Sequence, residues 1–173
     1  LAQARAAAPR DSGILRDLAQ AYLAAGDARA ANEAAQQAME IAGEDAANLL
    51  MAGRAALADG RGAEAEALAR RAAALRPGDA QAQALLAVSL PSGAEATKAA
   101  QAAADFAPQD AELQAVARAS GAGRTAALDY PAATPAEQLL AACIAALRAG
   151  DAAAAAAAGA GWSLCHLAAV GKP

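Results

Sequence analysis

The sequence is poor in aromatic residues, cysteines and clustered positive charge, and each shortage excludes a class of protein. Only four of the 173 residues are aromatic, which disfavours strands. Two cysteines are too few for a disulfide framework in a chain of this length, and they leave the compartment open between cytoplasm and periplasm. A net charge of −4 without a dense basic run disfavours nucleic-acid binding. No apolar stretch is long enough for membrane insertion.

Alanine is the residue that the sequence has in excess. Its 66 alanines make up most of the hydrophobic residues, which are 57% of the chain. Alanine is the best helix former, so the composition predicts an all-α protein. Each alanine buries little area, and a stable core therefore requires helices that stack at close spacing. Such an alanine excess is typical of GC-rich bacterial genomes.

A repeat of 34 residues runs through the first half of the chain. Eight small or apolar positions between Leu15 and Ala38 recur 34 residues later, and Gly26 falls on Gly60. In the first unit, apolar residues follow the i, i+3, i+4, i+7 spacing of a helix until Gly26 and Asp27 interrupt it, and small residues then resume the helical spacing up to Gly43. Each unit is therefore predicted to be a helix, a turn and a second helix.

These residues resemble the tetratricopeptide repeat (TPR), in an alanine-rich bacterial form. The resemblance rests on a leading large residue (Leu15), an aromatic residue two turns later (Tyr22), a turn glycine (Gly26), small residues in the second helix (Ala31) and a closing proline (Pro77). It implies an all-α, right-handed α-solenoid of stacked antiparallel helix pairs, irregular in its C-terminal half.

The resemblance spans nearly the whole chain as one solenoid segment. It divides the chain into predicted units, of which only the two full repeats before residue 79 match the family spacing well. The units are the end of a preceding repeat (1–10), two well-matched repeats (11–44 and 45–78), a shortened repeat (79–109), a degenerate repeat (110–134), a fifth repeat (135–159) and a truncated sixth (160–173).

Catalytic, metal and cofactor sites are not predicted. The single histidine, His166, follows Cys165 directly, and helix neighbours one residue apart point about 100° apart rather than toward a shared atom. No CxxC or HxxxH spacing suggests a metal site. Cys165 is interpreted as a half-buried thiol, and the aromatic residues, including Phe106, as core fillers. We therefore expect this segment to be non-enzymatic, whereas the activity of a longer parent protein stays open.

The family resemblance implies a concave groove, lined by the first helix of each repeat, that holds a peptide or a helix of a partner. An arginine in such a groove would favour an acidic or C-terminal peptide segment. Met51 stands where the version that binds chaperone tails would have an asparagine, so a chaperone tail is disfavoured. The predicted groove residues are Arg16, Gln20, Leu23, Leu50, Arg54, Leu57 and Val88.

Two classes of function fit this interpretation. The first is an adaptor or assembly scaffold that works by binding protein. The second is a substrate-recruiting arm of a larger enzyme such as a protein glycosyltransferase, because similar repeats precede catalytic domains in the family. Self-association through truncated repeat ends is a further alternative.

Overall fold

The computed structural model describes residues 11–120, 135–151 and 154. This part of the chain contains helices and no strands. Three consecutive helix pairs are followed by two further helices. The helices are α1 (Ser12–Ala25), α2 (Ala28–Ala42), α3 (Ala46–Ala58), α4 (Gly62–Leu75), α5 (Ala80–Ser89), α6 (Ala94–Phe106), α7 (Ala111–Ala119) and α8 (Pro135–Arg148).

An aspartate immediately precedes each of the helices α1, α3, α5 and α7. In each case its carboxylate accepts hydrogen bonds from backbone N–H groups of the first turn, which have no partner within the helix. At α7, for example, Asp110 Oδ1 accepts from the N–H groups of Glu112 and Leu113 at 3.0 and 3.1 Å. The four capping residues are Asp11, Asp45, Asp79 and Asp110.

The turns after α1, α3 and α8 share one geometry. In each, the N–H of a glycine with positive φ donates to the carbonyl three residues earlier, and the N–H of the next residue donates to the carbonyl five residues earlier. This is the Schellman arrangement, which requires a left-handed conformation that glycine adopts without a steric penalty. The glycines are Gly26, Gly60 and Gly150, so the turn predicted for the fifth repeat is present in the structure.

The helices stack in two layers. We call α1, α3, α5 and α7 the first helices, and α2, α4 and α6 the second helices. Each helix from α1 to α7 packs on the next along the chain, and each first helix also contacts the next first helix. The alanines expected at the close crossings, such as Ala31 and Ala65, are completely buried. The prediction of an all-α solenoid of stacked helix pairs is confirmed.

Helix α8 departs from this regular stacking. It packs against α7 and also against α5, which belongs to the repeat before. Its buried residues are Leu140, Cys143, Ile144 and Leu147. The sequence alignment predicted a buried stripe through Ala142, but Ala142 is exposed, so the buried face lies one position further along.

No helix in the described ranges is long and apolar enough to cross a membrane.

Candidate functional site

The side of the solenoid formed by the first helices, here called the first-helix face, carries the predicted groove residues. Gln20 is exposed, and Arg16, Leu50 and Arg54 are partly exposed. These four residues lie on α1 and α3, at the N-terminal end of the face. This end is the part of the predicted groove that a ligand can reach in the described structure.

Three predicted groove residues are buried, which corrects their expected position. Leu23 lies in an apolar cluster with Ala31 of α2 and with Ala55 of α3, between three helices. Leu57 and Val88 belong to the main core cluster, which also contains the buried residues of α8. The family pattern assigns faces from spacing alone, so it includes neither the enclosure of Leu23 by three neighbouring helices nor the packing of α8 on α5.

Arg16 joins α1 to α3. Its Nη1 donates to Asn48 Oδ1 at 3.2 Å and lies 3.8 Å from Asp45 Oδ2. Asn48 is completely buried, and its Nδ2 donates to the carbonyl of Gly43 at 3.0 Å. Sequence reasoning missed Asn48, although an asparagine within an alanine-rich helix was a visible signal, since a buried amide needs hydrogen-bond partners.

Arg54 makes the corresponding link from α3 to α5. Its Nη2 donates to Gln81 Oε1 at 2.5 Å, and its Nε has no hydrogen-bond partner in the structure. Burial lowers the pKa of Arg54, and the nearby carboxylates of Glu112 and Asp79 oppose that shift. Both arginines thus have carboxylates close by, and this end of the face is less basic than the sequence suggested.

Helix α8 covers the C-terminal part of the first-helix face. It packs against α7 and α5, and the residue after its last turn, Gly150, lies against Gly60 in the turn after α3. The approach is close, because a Cβ added at Gly60 would lie 3.3 Å from the Gly150 carbonyl oxygen. Helix α8 therefore packs on the first helices α5 and α7, and the glycine turn after it reaches the turn after α3.

Arg148, in the last turn of α8, holds this helix to the end of α5. Its Nη2 donates to the Ala87 carbonyl at 2.8 Å, and its Nη1 donates to Ser92 Oγ at 2.9 Å. Burial lowers the pKa of Arg148. A guanidinium with two directed hydrogen bonds fixes the position of α8 along the face more precisely than apolar contacts alone would.

Cys143 lies on the buried side of α8 and is disulfide-bonded. The other cysteine, Cys165, lies outside the described residues, as do Trp162 and His166. Within the described ranges, no group of three or more His, Cys, Asp or Glu side chains could hold a metal ion.

A separate apolar stripe lies on the second helices. Ile41, Leu75 and Phe106 are the exposed large hydrophobic residues of the described structure, and each lies in the last turn of its helix. Ile41 and Leu75 are 34 residues apart, and Phe106 follows after 31 because the third unit is three residues shorter. Phe106 was expected to fill the core, but 51% of it is exposed.

Comparisons with known proteins support the fold. A scan against protein-family models finds no match, and a search of curated proteins finds none. A search of solved structures finds a mutant O-GlcNAc transferase from Thermobaculum terrenum, with a TM-score of 0.59 and 21% sequence identity. The similar region covers 79% of this chain and 26% of the transferase chain. At this level of identity, the likeness shows a shared helical fold, and it involves about a quarter of the transferase.

Proposed function

We propose that this chain is a protein-interaction module that binds a peptide or helix of a partner protein on its first-helix face. The observation that supports the proposal best is the N-terminal end of this face. There, two successive first helices present arginine side chains beside partly exposed apolar surface at Leu50. An arginine in such a position can hold a peptide carbonyl or carboxylate by a charge-assisted hydrogen bond.

The accessible ligand-binding residues in this proposal are Arg16, Gln20, Leu50 and Arg54. Acidic or C-terminal segments remain the preferred ligands. Asp45, Asp79 and Glu112 lie close enough to the two arginines to weaken this preference, so apolar contacts contribute a larger share of the binding energy.

A peptide display library selected on the immobilised protein tests this function without a known partner. Selected peptides would be titrated by fluorescence anisotropy against the double variant Arg16→Ala with Arg54→Ala. We expect binding at least tenfold weaker, because a charge-assisted hydrogen bond contributes about 1.5 to 3 kcal/mol.

The matched control is Arg29→Ala with Arg76→Ala, which removes the same charge from two exposed positions at the second helices. This control should bind like the wild type. A library without enriched peptides would contradict the proposal. So would peptides that lose affinity only for the control variant, which would place the ligand on the second-helix side.

The second candidate is a substrate-recruiting arm of a larger enzyme. The likeness to about a quarter of a glycosyltransferase chain favours it. The coding sequence beyond Pro173 separates the two candidates. Further repeats or a stop codon would favour the scaffold, and a long α/β domain would favour the enzyme arm.

A further inference from the structure

We propose that α8 is a built-in ligand of the first-helix face, and that the surface beneath it accepts an amphipathic helix of the same pattern from a partner. The inference rests on the proposed function and identifies a second binding region, distinct from Arg16, together with its class of ligand. The first observation is the position of α8. A further helix pair of a regular stack would pack on the preceding repeat, whereas α8 also reaches α5 and the turn after α3.

The second observation is how α8 is held. Its buried aliphatic side chains, Leu140, Ile144 and Leu147, follow the i, i+4, i+7 spacing of a helix that docks one apolar face into a groove, and the disulfide-bonded Cys143 lies on the same face. Arg148 follows and donates to groups at the end of α5. The opposite side of α8 is exposed at Ala142 and Ala145. Such a helix has the features of a ligand, which are apolar anchors on one face and a polar contact that sets the register.

The third observation is the surface beneath α8. Seven of the ten residues of α5 are buried, whereas only four of the fourteen residues of α1 are. Helix α8 packs directly on α5, and Leu86 and Val88 of α5 belong to the same core cluster as the buried residues of α8. Without α8, this surface would present contiguous aliphatic side chains, which soluble proteins rarely expose unless a partner covers them.

These features specify the partner that fits. It is an amphipathic helix with three aliphatic residues at i, i+4 and i+7 and an arginine at i+8, the pattern from Leu140 to Arg148. A partner helix must displace α8, which is tethered to the same chain and so competes at an effective concentration near the millimolar range. The tether therefore makes the face selective for strong ligands.

The test uses the full chain and a labelled peptide of residues 135–150 carrying Cys143→Ala, with acetylated and amidated ends. Binding is measured by fluorescence anisotropy. The variant Leu140→Asp with Ile144→Asp weakens the docking of α8 in the chain and should bind the peptide at least tenfold more tightly than the wild type. The matched control, Ala142→Asp with Ala145→Asp, adds the same charges to the exposed side and should bind it like the wild type.

Arg148→Ala provides a second, milder variant that leaves the apolar core intact. Removal of two hydrogen bonds should raise the affinity for the peptide about tenfold. This variant decides the question if the aspartate variant does not fold, as judged by circular dichroism. A chain that exchanges α8 with a second copy would appear as a dimer in light scattering and would also support the inference.

Equal binding of the peptide to the wild type and to Arg148→Ala, or no binding to either, would overturn the inference. The proposed function is tested separately, because Arg16 lies on α1, which is not among the packing neighbours of α8, and Arg16→Ala should leave binding of the α8 peptide unchanged. Library peptides that depend on Arg16, together with an α8 peptide that does not bind, would preserve the proposed function and refute this inference.

Discussion

Gly53 shows how a single hydrogen atom in place of a side chain sets the spacing of two repeats. It lies within α3, and a Cβ at this position would be 2.7 Å from Leu85 Cδ2 and 3.5 Å from Leu68 Cβ. Leu85 is itself buried, so it has little room to move. The absence of a side chain at Gly53 allows α3 to lie close to α4 and α5.

We expect Gly53→Ala to destabilise the protein by about 1 kcal/mol. Overpacking should cost about 1 to 3 kcal/mol, and the better helix propensity of alanine should offset up to about 1 kcal/mol of that cost. Urea denaturation measures the difference. Gly62→Ala is the control, because a Cβ there meets no atom within 4 Å and the change should be neutral or slightly stabilising. A more stable Gly53→Ala variant would show that Leu85 can repack freely.

Asp110 is a second residue whose role is local. Helix α7 has only nine residues, and such a short helix depends strongly on its capping. We expect Asp110→Ala to cost about 1 kcal/mol in thermal denaturation, because two backbone N–H groups lose their acceptor. Asp110→Asn retains an acceptor oxygen and should restore most of the stability. If Asn destabilises as much as Ala, the charge of Asp110 and not its hydrogen bonds would be the relevant property.

At the scale of the element, the second helices depend on alanine where they cross their neighbours. Ala65 of α4 is completely buried, whereas Ala67, half a turn away, is exposed. We expect Ala65→Leu to cost about 1 to 3 kcal/mol by overpacking, and Ala67→Leu to stay within about 0.5 kcal/mol of the wild type. Chemical denaturation of both variants provides the comparison. Equal stabilities would mean that α4 packs in a different register.

The sequence predicted the regular helix pairs well because their determinants are local. Gly26 and Gly60 terminate first helices by adopting a conformation that few other residues tolerate, and alanine spacing marks the crossing faces. The same reasoning located the turn at Gly150. Local signals of this kind survive even in a sequence dominated by one residue type.

The buried face of α8 could not be predicted in the same way. An alignment with the first repeat assigns its core stripe to positions that include Ala142, but the structure buries Leu140 and Ile144 instead. A helix buries whichever face meets its neighbours, and α8 meets the first helices of earlier repeats in addition to α7. That contact is set by tertiary packing, which residue spacing does not encode. The burial of Leu57 and Val88 could not be predicted from spacing for the same reason.

At the scale of the whole molecule, α8 alters the energetics expected of a repeat protein. In a simple solenoid, each repeat contacts only its neighbours, so stability is close to a sum of repeat and interface contributions. Helix α8 adds contacts that join α7, α5 and the turn after α3. The C-terminal repeats are therefore coupled to one another more tightly than to the pair formed by α1 and α2.

This coupling predicts a regional response to Arg148→Ala in hydrogen exchange measured by mass spectrometry. Loss of the hydrogen bonds to Ala87 and Ser92 should let α8 detach more often, and amides of α8 and α5 should exchange faster. Amides of α1 and α2 should keep their wild-type rates, because neither helix is among the packing neighbours of α8. Arg29→Ala, at an exposed position on α2, should change neither region. Uniformly faster exchange along the chain would instead mean that the solenoid opens as one unit, with α8 as an ordinary part of its core.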